Sequence, residues 1–222
     1  MGISSKSTVG SPVSDEPKPM TATGDSLLAL VERIQKTDPS LLNLYTARTD
    51  AEFESAFDSW LERAVSGLER NKKNFATLTE EGLSGVLALA LTTQGIVVTP
   101  EANSNGHVDL LIEVKWGTGE RRKLGEAKIY DGPAYHIKGL QQLLRRYTTG
   151  REGRGLLIVY VKKADIAGLI RKLRDTMDET APEQQKGKSK DYSMKWSFIS
   201  VHGHSCGEDL EVGHIGCNLY CS

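Results

Sequence analysis

Two carboxylates and one lysine, Asp109, Glu126 and Lys128, stand close together in a part of the chain rich in β-forming residues. Two carboxylates held a few ångströms apart repel each other, and one takes up a proton unless a cation lies between them. Oxygen ligands that leave room for bound waters suit Mg²⁺ or Mn²⁺. A metal ion that activates water, together with a lysine that stabilises charge developing on a phosphate, supplies what the hydrolysis of a phosphodiester requires.

These three side chains lie on two runs of residues whose composition is typical of strands. The runs cover 108–116 and 123–130, and a connection rich in glycine joins them at 117–120. Two such runs flanking a glycine-containing turn predict a β-hairpin.

The register of this hairpin decides whether the three side chains meet. Side chains alternate along a strand, so Glu126 and Lys128 share a face. Asp109 joins them if it lies opposite 126 or 128, and the register that does this is also the one that buries the apolar face of the first strand. That face consists of Val108, Leu110, Ile112, Val114 and Trp116.

A second acid and lysine pair, Glu113 and Lys115, has the same spacing as Glu126 and Lys128. We reject it because Asp109 would lie four residues away on the same strand, roughly 13 Å at 3.3 Å per residue. Two carboxylates at that distance do not share one cation.

Periodicity and turn residues predict the elements that hold this hairpin in place. The prediction, in chain order, is helices over 26–34 and 50–68, a helix from Thr79 that stops at Gly95, a strand at 96–98, the hairpin, a helix over 136–147, a buried strand at 155–161, a helix over 165–177, a loop over 178–191, and strands at 196–201 and 211–219. This order is typical of an α/β fold, a three-layer sandwich with a mixed central β-sheet flanked by helices.

Composition divides the chain into three parts. Residues 1–24 contain fourteen Ser, Thr, Pro or Gly residues, too few apolar groups to offset the entropy of ordering. We therefore expect a disordered tail over 1–24, a helical lead-in over 25–75 that packs on the core, and over 76–222 the domain that holds the chemistry.

The composition also excludes several classes of protein. No apolar run approaches the roughly 20 residues of a membrane span, and the first residues contain no apolar segment typical of a secretory signal. Three cysteines, an odd number, fit a reducing cytoplasm better than a disulfide framework. We expect a cytoplasmic protein that does not enter a membrane.

Positive charge is concentrated in one segment of the chain. The whole chain has a formal charge of −1, but residues 121–174 contain fourteen Lys or Arg against four Asp or Glu. Such a segment attracts polyanions, nucleic acid among them. The alternative is a solvated face whose charge is offset by acidic neighbours.

Asp109 followed by Glu126-Ala127-Lys128 resembles the PD-(D/E)XK nuclease superfamily, whose fold is restriction-endonuclease-like. Glu80, on the leucine-bearing face of the helix that opens at Thr79, resembles the glutamate of the family's first helix. The segment 141–147 resembles the helix with Gln and Tyr that follows the family's ExK strand. The resemblance covers roughly 79–161 and departs from the family at Val108, where the family name records a proline.

The resemblance implies a role for each matching residue. Asp109, Glu126, the carbonyl of Ala127 and Glu80 would hold the metal, and Lys128 would position the attacking water or stabilise charge. Gln142 or Gln141 would steer the nucleotide or the water, although both are also compatible with a solvated helix face, and Tyr147 is more typical of a core residue. The basic residues that we interpret as phosphate contacts are Arg145, Arg146, Arg151, Arg154, Lys162 and Lys163.

The activity implied is hydrolysis of DNA phosphodiester bonds with Mg²⁺ or Mn²⁺ as cofactor. A role in genome defence with a partner protein is a further expectation, and a two-fold homodimer would let two sites cut both strands. The alternative interpretation is a non-catalytic nucleic-acid-binding or assembly subunit that keeps the nuclease fold. The complete set of Asp109, Glu126 and Lys128 favours the enzyme.

Histidines and cysteines cluster at the C-terminal end, where four of them would suffice for tetrahedral zinc and a zinc-stabilised interaction module. The lack of a close CxxC pair favours a packed β-hairpin instead, with a turn at 207–209. The residues concerned are His202, His204, Cys206, His214, Cys217 and Cys221.

Overall fold

A computed structural model describes residues 26–103, 107–115 and 121–221. The predicted tail over 1–24 and the predicted turn at 117–120 lie outside the described residues. Within these ranges no helix combines the length and the apolar character that a bilayer crossing requires.

The centre of the fold is a mixed sheet of seven strands in the order β1-β2-β3-β4-β7-β6-β5. β1, β2 and β3 form an antiparallel meander, β4 pairs in parallel with β3 and with β7, and β6 pairs antiparallel with β5 and β7. The strand bounds are β1 (Ile96–Asn103), β2 (His107–Val114), β3 (Arg121–Ile129), β4 (Gly155–Val161), β5 (Lys190–Asp191), β6 (Ser197–Gly203) and β7 (Asp209–Asn218).

Helices cover both faces of this sheet, and one of them continues into a π-helical turn at Leu143–Tyr147. The helices of the described residues are α1 (Leu27–Thr37), α2 (Pro39–Thr46), α3 (Asp50–Arg70), α4 (Lys72–Phe75), α5 (Glu80–Leu91), α6 (Pro133–Gln142) and α7 (Ile166–Thr180).

Two hydrophobic cores lie on opposite faces of the sheet. On one face α3 and α5 contribute residues such as Phe57 and Leu87, which pack with Ile158 of β4. On the other face α6 and α7 pack against the neighbouring strand residues, as Leu140 does in the cluster that contains Leu157. The alternation of adjacent β4 residues between the two cores is what a sheet covered on both faces requires. The predicted α/β three-layer sandwich with a mixed sheet is confirmed.

The helix α3 shows why the sequence folds as it does in the lead-in. The Thr49 side chain accepts a hydrogen bond from the Glu52 N–H, and the Glu52 carboxylate accepts one from the Thr49 N–H. This capping box satisfies donors that a helix start otherwise leaves unpaired. The apolar side of α3 is then buried against the sheet, with Phe53, Phe57 and Leu61 at most 2% exposed.

The chain divides into two compact units after Pro39. In the first unit, the described part is dominated by α1, which Ser26 caps by accepting a hydrogen bond from the Ala29 N–H. None of the residues of α1 is buried, and Leu27 is 75% exposed.

Several elements differ from the prediction. β1 extends to Asn103, well beyond the predicted strand at 96–98. The predicted helix over 136–147 begins earlier, at Pro133, because the Gly132 backbone adopts a positive φ of 97° and starts the helix there. The short helices α2 and α4 and the two-residue strand β5 were not predicted, since none of them is long enough to show a hydrophobic period.

Candidate active site

The pairing of β2 with β3 brings the predicted acids and lysine together. The ladder includes Leu110 opposite Gly125, and the next residues along the two strands are Asp109 and Glu126. The Nζ of Lys128 lies 2.6 Å from Oε1 of Glu126 and 3.8 Å from Oδ2 of Asp109. The register predicted from the apolar face is therefore the one observed.

Glu80 reaches the same cluster from the first turn of the helix α5. Thr79 caps α5 by accepting a hydrogen bond from the Gly82 N–H at 3.2 Å, which sets Glu80 at the helix start. Its Oε2 accepts a hydrogen bond from the Ile129 N–H at 2.7 Å, and its Oε1 lies 3.2 Å from Nζ of Lys128. A third carboxylate thus joins the two from the sheet.

The backbone of Ala127 contributes directly to the cluster. Its N–H donates to Oδ2 of Asp109 at 2.8 Å, and this bond orients the carboxylate. The N–H and C=O of one strand residue point toward the same neighbouring strand. The Ala127 carbonyl therefore faces the same edge as its N–H, beside Asp109.

Burial controls the charge of this cluster. The exposed fraction of the side chain is 1% for Glu126, 9% for Lys128 and 17% for Asp109. Burial, and then the negative charge of Asp109, raises the pKa of Glu126 to about 7. Burial alone lowers the pKa of Lys128, but its hydrogen bond to Glu126 and the nearby carboxylates outweigh this and raise its pKa overall.

The donors present fit a hard divalent cation in type and charge. Oε2 of Glu126 is buried and has no hydrogen-bond partner, and an uncompensated carboxylate oxygen beside a second carboxylate is a ligand that Mg²⁺ and Mn²⁺ favour. Among the described residues, however, no group of three His, Cys, Asp or Glu is arranged as a metal-ligand cluster. The Lys128 ammonium, within 4 Å of all three acids, supplies the positive charge between them.

The helix α6 packs directly on the side chain of Lys128. A Cβ added at Gly139 would lie 3.1 Å from Cγ and 3.3 Å from Cε of Lys128, and 3.2 Å from Cδ1 of Leu157. Any larger residue at 139 would press on the lysine. Sequence reasoning missed this glycine, because only the packing of a helix on β3 reveals its role.

Beside Lys128, the exposed face of α6 and the π-helical turn form a cleft of about 550 Å³. Both predicted glutamines contribute to it, together with Tyr135 and Lys138, which were not predicted. The side chain of Tyr147 lies outside the description. The lining residues are Lys128, Tyr135, Lys138, Gln141, Gln142, Arg145 and Arg146.

Of the six predicted phosphate contacts, Arg145 and Arg146 line this cleft. Arg145 binds the Glu183 carboxylate through two bonds of 2.6 and 2.9 Å, whereas Arg146 is exposed. Lys163 pairs with Asp131 at 3.1 Å on the surface.

Neither Lys163 nor the other three predicted contacts line the cleft. Arg151 is exposed in the segment before β4. Arg154 is 14% exposed and bonds to Asp58 at 3.0 Å and to the Tyr192 hydroxyl, which ties α3 to the sheet. Lys162 donates to the carbonyls of Ala76 and Leu78 just before α5. In this structure Arg154 and Lys162 hold elements together, because their donors are already used within the protein.

The predicted C-terminal hairpin is confirmed as β6 and β7, which pair antiparallel. The alternation of side chains separates the proposed zinc ligands. His214 stacks on Phe198 on the α6 side, whereas Cys217 belongs to the core on the α3 side. Cys206 is exposed in the turn. The cluster seen in the sequence is therefore spread over both faces of the sheet.

A buried chain of polar side chains, missed by sequence reasoning, connects α6 to this hairpin. Nε2 of His136 lies 2.7 Å from Nδ1 of His214, and Nε2 of His214 lies 2.7 Å from Oγ of Ser200. Oγ of Ser200 in turn lies 2.6 Å from Nε2 of His202. Each of these residues is at most 1% exposed. The chain anchors α6 one turn before Gly139, and so helps to place the helix over Lys128.

The candidate site thus consists of carboxylates from β2, β3 and α5 around one lysine, with a basic cleft beside it. No family model matches this chain, and neither curated proteins nor solved structures provide a match.

Proposed function

We propose that this protein is a divalent-metal-dependent nuclease that hydrolyses DNA phosphodiester bonds, a member of the PD-(D/E)XK superfamily with a restriction-endonuclease-like fold. One observation carries the proposal. Asp109, Glu126 and Glu80, from three different elements, all place a carboxylate oxygen within 4 Å of Nζ of Lys128. Gathering three acids around one lysine, with Glu126 fully buried and the other two partly exposed, is costly, and metal-assisted hydrolysis is a use for that arrangement.

In this proposal Asp109, Glu126 and the Ala127 carbonyl would hold Mg²⁺ or Mn²⁺, and Glu80 would complete the set. The ion would supply a Lewis acid and a water of lowered pKa. The hydrogen bond from the Ala127 N–H keeps Asp109 in place. Lys128, held by the carboxylates, would orient the attacking water or stabilise negative charge on the phosphate.

The cleft beside Lys128 would receive the nucleic acid. Its amides and cations, Gln142 and Arg146 among them, lie on the helix that packs against the lysine. Gln142 would steer the nucleotide, and the positive segment 121–174 would draw the polyanion toward the site. A cytoplasmic location, a role in genome defence with a partner protein, and a homodimer that cuts both strands complete the proposal.

A non-catalytic nucleic-acid-binding or assembly subunit is the second candidate function. The observation in its favour is that the Lys128 ammonium lies 2.6 Å from Glu126, between the acids where a metal would bind. A cluster neutralised in this way can serve the fold alone.

Incubation of the protein with circular DNA, supplied both as a single strand and as supercoiled plasmid, separates the two candidates. We expect cleavage with Mg²⁺ or Mn²⁺, no cleavage with EDTA, and a loss of about 10²-fold or more in rate for Lys128→Ala and for Asp109→Asn. The matched control is Lys172→Ala on the exposed surface of α7, which is expected to cleave at the wild-type rate. Circular dichroism verifies that each variant is folded.

Binding of Mn²⁺ measured by calorimetry tests the site independently of cleavage. Wild type is expected to bind the ion and Glu126→Gln to bind it at least ten-fold more weakly, because an amide does not replace an anionic ligand. If DNA binds but remains intact with every metal tried, and Mn²⁺ binds no better to wild type than to Glu126→Gln, the subunit interpretation replaces the nuclease.

A further inference from the structure

The cleft on α6 contains more than a basic patch. Tyr135, Lys138 and Gln142 follow one another at spacings of three and four residues, and so lie along one face of the helix. All three line the cleft next to Lys128, and Tyr135 is 38% exposed. An exposed aromatic ring among cations and amides is the combination by which proteins stack an unpaired base and bind its phosphates.

Two of the cations in this cleft are available to a ligand. Arg145 is already bound through both its Nε and its Nη to Glu183. For Lys138 and Arg146 the structure shows no ion-pair partner among the residues it describes. A pair of unpaired cations on the rim of a cleft favours a ligand with more than one negative charge.

The π-helical turn at the end of α6 explains how the arginines come to lie there. The Thr148 N–H donates to the Leu143 carbonyl, five residues back, at 3.2 Å. Leu143 and Leu144 are both buried, and Arg145 and Arg146 are both exposed. π-helical turns are rare in proteins, and many of those that occur lie at functional sites. This turn extends the line of cleft residues beyond Gln142.

The depth of the reacting groups indicates which form of nucleic acid enters. The side chains of Glu126 and Lys128 are 1% and 9% exposed. A phosphate must therefore enter the cleft to contact them, and cannot do so from a flat surface. In a duplex the faces of the bases are stacked on one another, and only the base edges are accessible, in the grooves. Only an unpaired base offers its ring face to an aromatic side chain.

We propose that this cleft binds a single-stranded polynucleotide, with one base stacked on Tyr135 and the neighbouring phosphates on Lys138 and Arg146. The inference rests on the proposed function for the meaning of the adjoining site, since it makes a single strand the substrate. Binding in the cleft requires none of the metal chemistry.

Fluorescence anisotropy tests this binding with labelled oligonucleotides of one sequence, as single-stranded DNA, single-stranded RNA and duplex DNA, in EDTA so that no cleavage occurs. We expect a single strand to bind more tightly than the duplex. Tyr135→Ala should weaken single-strand binding about ten-fold, and Tyr135→Phe should retain it, because stacking needs the ring and not the hydroxyl. The matched control is Tyr220→Ala, since Tyr220 is also 38% exposed but lies outside the cleft.

The salt dependence of binding tests the two cations. Removing one phosphate contact lowers the slope of log K against log salt by about 0.7 for a single strand. Lys138→Ala and Arg146→Ala are each expected to show this change, and Lys172→Ala is expected to show none. A slope that is unaltered in the first two variants would overturn the placement of the phosphates.

The result that overturns the proposal as a whole is duplex binding as tight as single-strand binding, or equal affinities for Tyr135→Ala and Tyr220→Ala. These measurements are independent of the nuclease proposal. Loss of cleavage with retained Tyr135-dependent binding would reject the enzyme and leave the inference standing. Cleavage of duplex DNA at the same rate by wild type and by Tyr135→Ala would support the enzyme and reject the inference.

Discussion

Acid is expected to destabilise this protein through the buried histidine chain, and the substitution that isolates the effect is His136→Gln. The position of every proton in this row of hydrogen bonds follows from its last member, His202. Nδ1 of His202 lies 3.1 Å from the Glu183 carbonyl, which only accepts, so this nitrogen carries the proton. Nε2 of neutral His202 must then accept from Ser200. It follows that His214 donates to Ser200 and that His136 donates to His214.

This order requires all three imidazoles to be neutral. His136 has a second nitrogen, Nδ1, that is buried without a hydrogen-bond partner, so a proton added there would be a buried charge without an acceptor. Burial lowers the pKa of His136 from 6.5 to about 3. Burial also lowers the pKa of His214 and of His202.

The sign and size of the effect follow from the difference in pKa. The folded-state pKa of His136 is below the unfolded value, so its contribution is present in full above pH 6.5 and is lost as the pH falls toward 3. Between pH 7 and pH 5 the unfolded histidine takes up a proton and the folded one does not, which costs about 2 kcal/mol of unfolding free energy. His214 and His202 add to this loss in the same direction.

Urea denaturation followed by circular dichroism at pH 7 and pH 5 measures the loss. The amide of His136→Gln keeps a donor near the position of Nε2 but does not titrate, so this variant should lose about 2 kcal/mol less than wild type between the two pH values. His204→Gln is the matched control, because His204 is outside the chain, and it should behave as wild type. If His136→Gln and wild type lose the same unfolding free energy between pH 7 and pH 5, the assignment of three neutral histidines, with donation running from His136 toward His202, is refuted.

Two further predictions concern packing and charge. Gly139→Ala is expected to reduce cleavage about ten-fold or more by displacing Lys128. The control is Gly85→Ala, at a helix glycine with nothing within 4 Å of its added Cβ, which should keep activity and gain up to about 1 kcal/mol of stability. Full activity in Gly139→Ala would contradict the packing argument. Lys123 is 1% exposed and its Nζ lies 2.5 Å from Glu54. Lys123→Met should cost about 3 kcal/mol in denaturant unfolding, because the mostly buried Glu54 carboxylate loses its nearest cation and is left with Arg154 at 4.0 Å. The double variant Lys123→Met with Glu54→Leu should recover most of that loss. A double variant as unstable as the single one would show that the loss does not come from the unpaired Glu54 carboxylate.

Local pattern was sufficient for the hairpin that carries the candidate site. Strand side chains alternate, so Leu110, Ile112 and Val114 share one face and enter the core on the α3 side. This places Asp109 on the opposite face, beside Glu126 and Lys128. Of the other residues of the predicted apolar face, Val108 is buried in the second core and Trp116 lies outside the described residues. The same reasoning placed Glu80 on the correct face of its helix. In both cases one strand or helix, read alone, contains the information.

Periodicity was not sufficient where residues far apart in the chain compete for the same donors. Arg154 and Lys162 look like phosphate ligands in the sequence, but Asp58 and the Ala76 carbonyl occupy them in the fold. The π-helical turn at 143–147 is equally invisible, because it changes the helix by a single residue.

The amino-acid order, then, was enough for the layers of the sandwich and the register of β2 against β3, since the period of each strand or helix decides which of its side chains share a face. The fold alone brought His136 to His214, 78 positions later in the chain, and seated Gly139 on Lys128. Such contacts depend on how one layer docks on another, and docking is set by the packing of many side chains at once rather than by the spacing of any few.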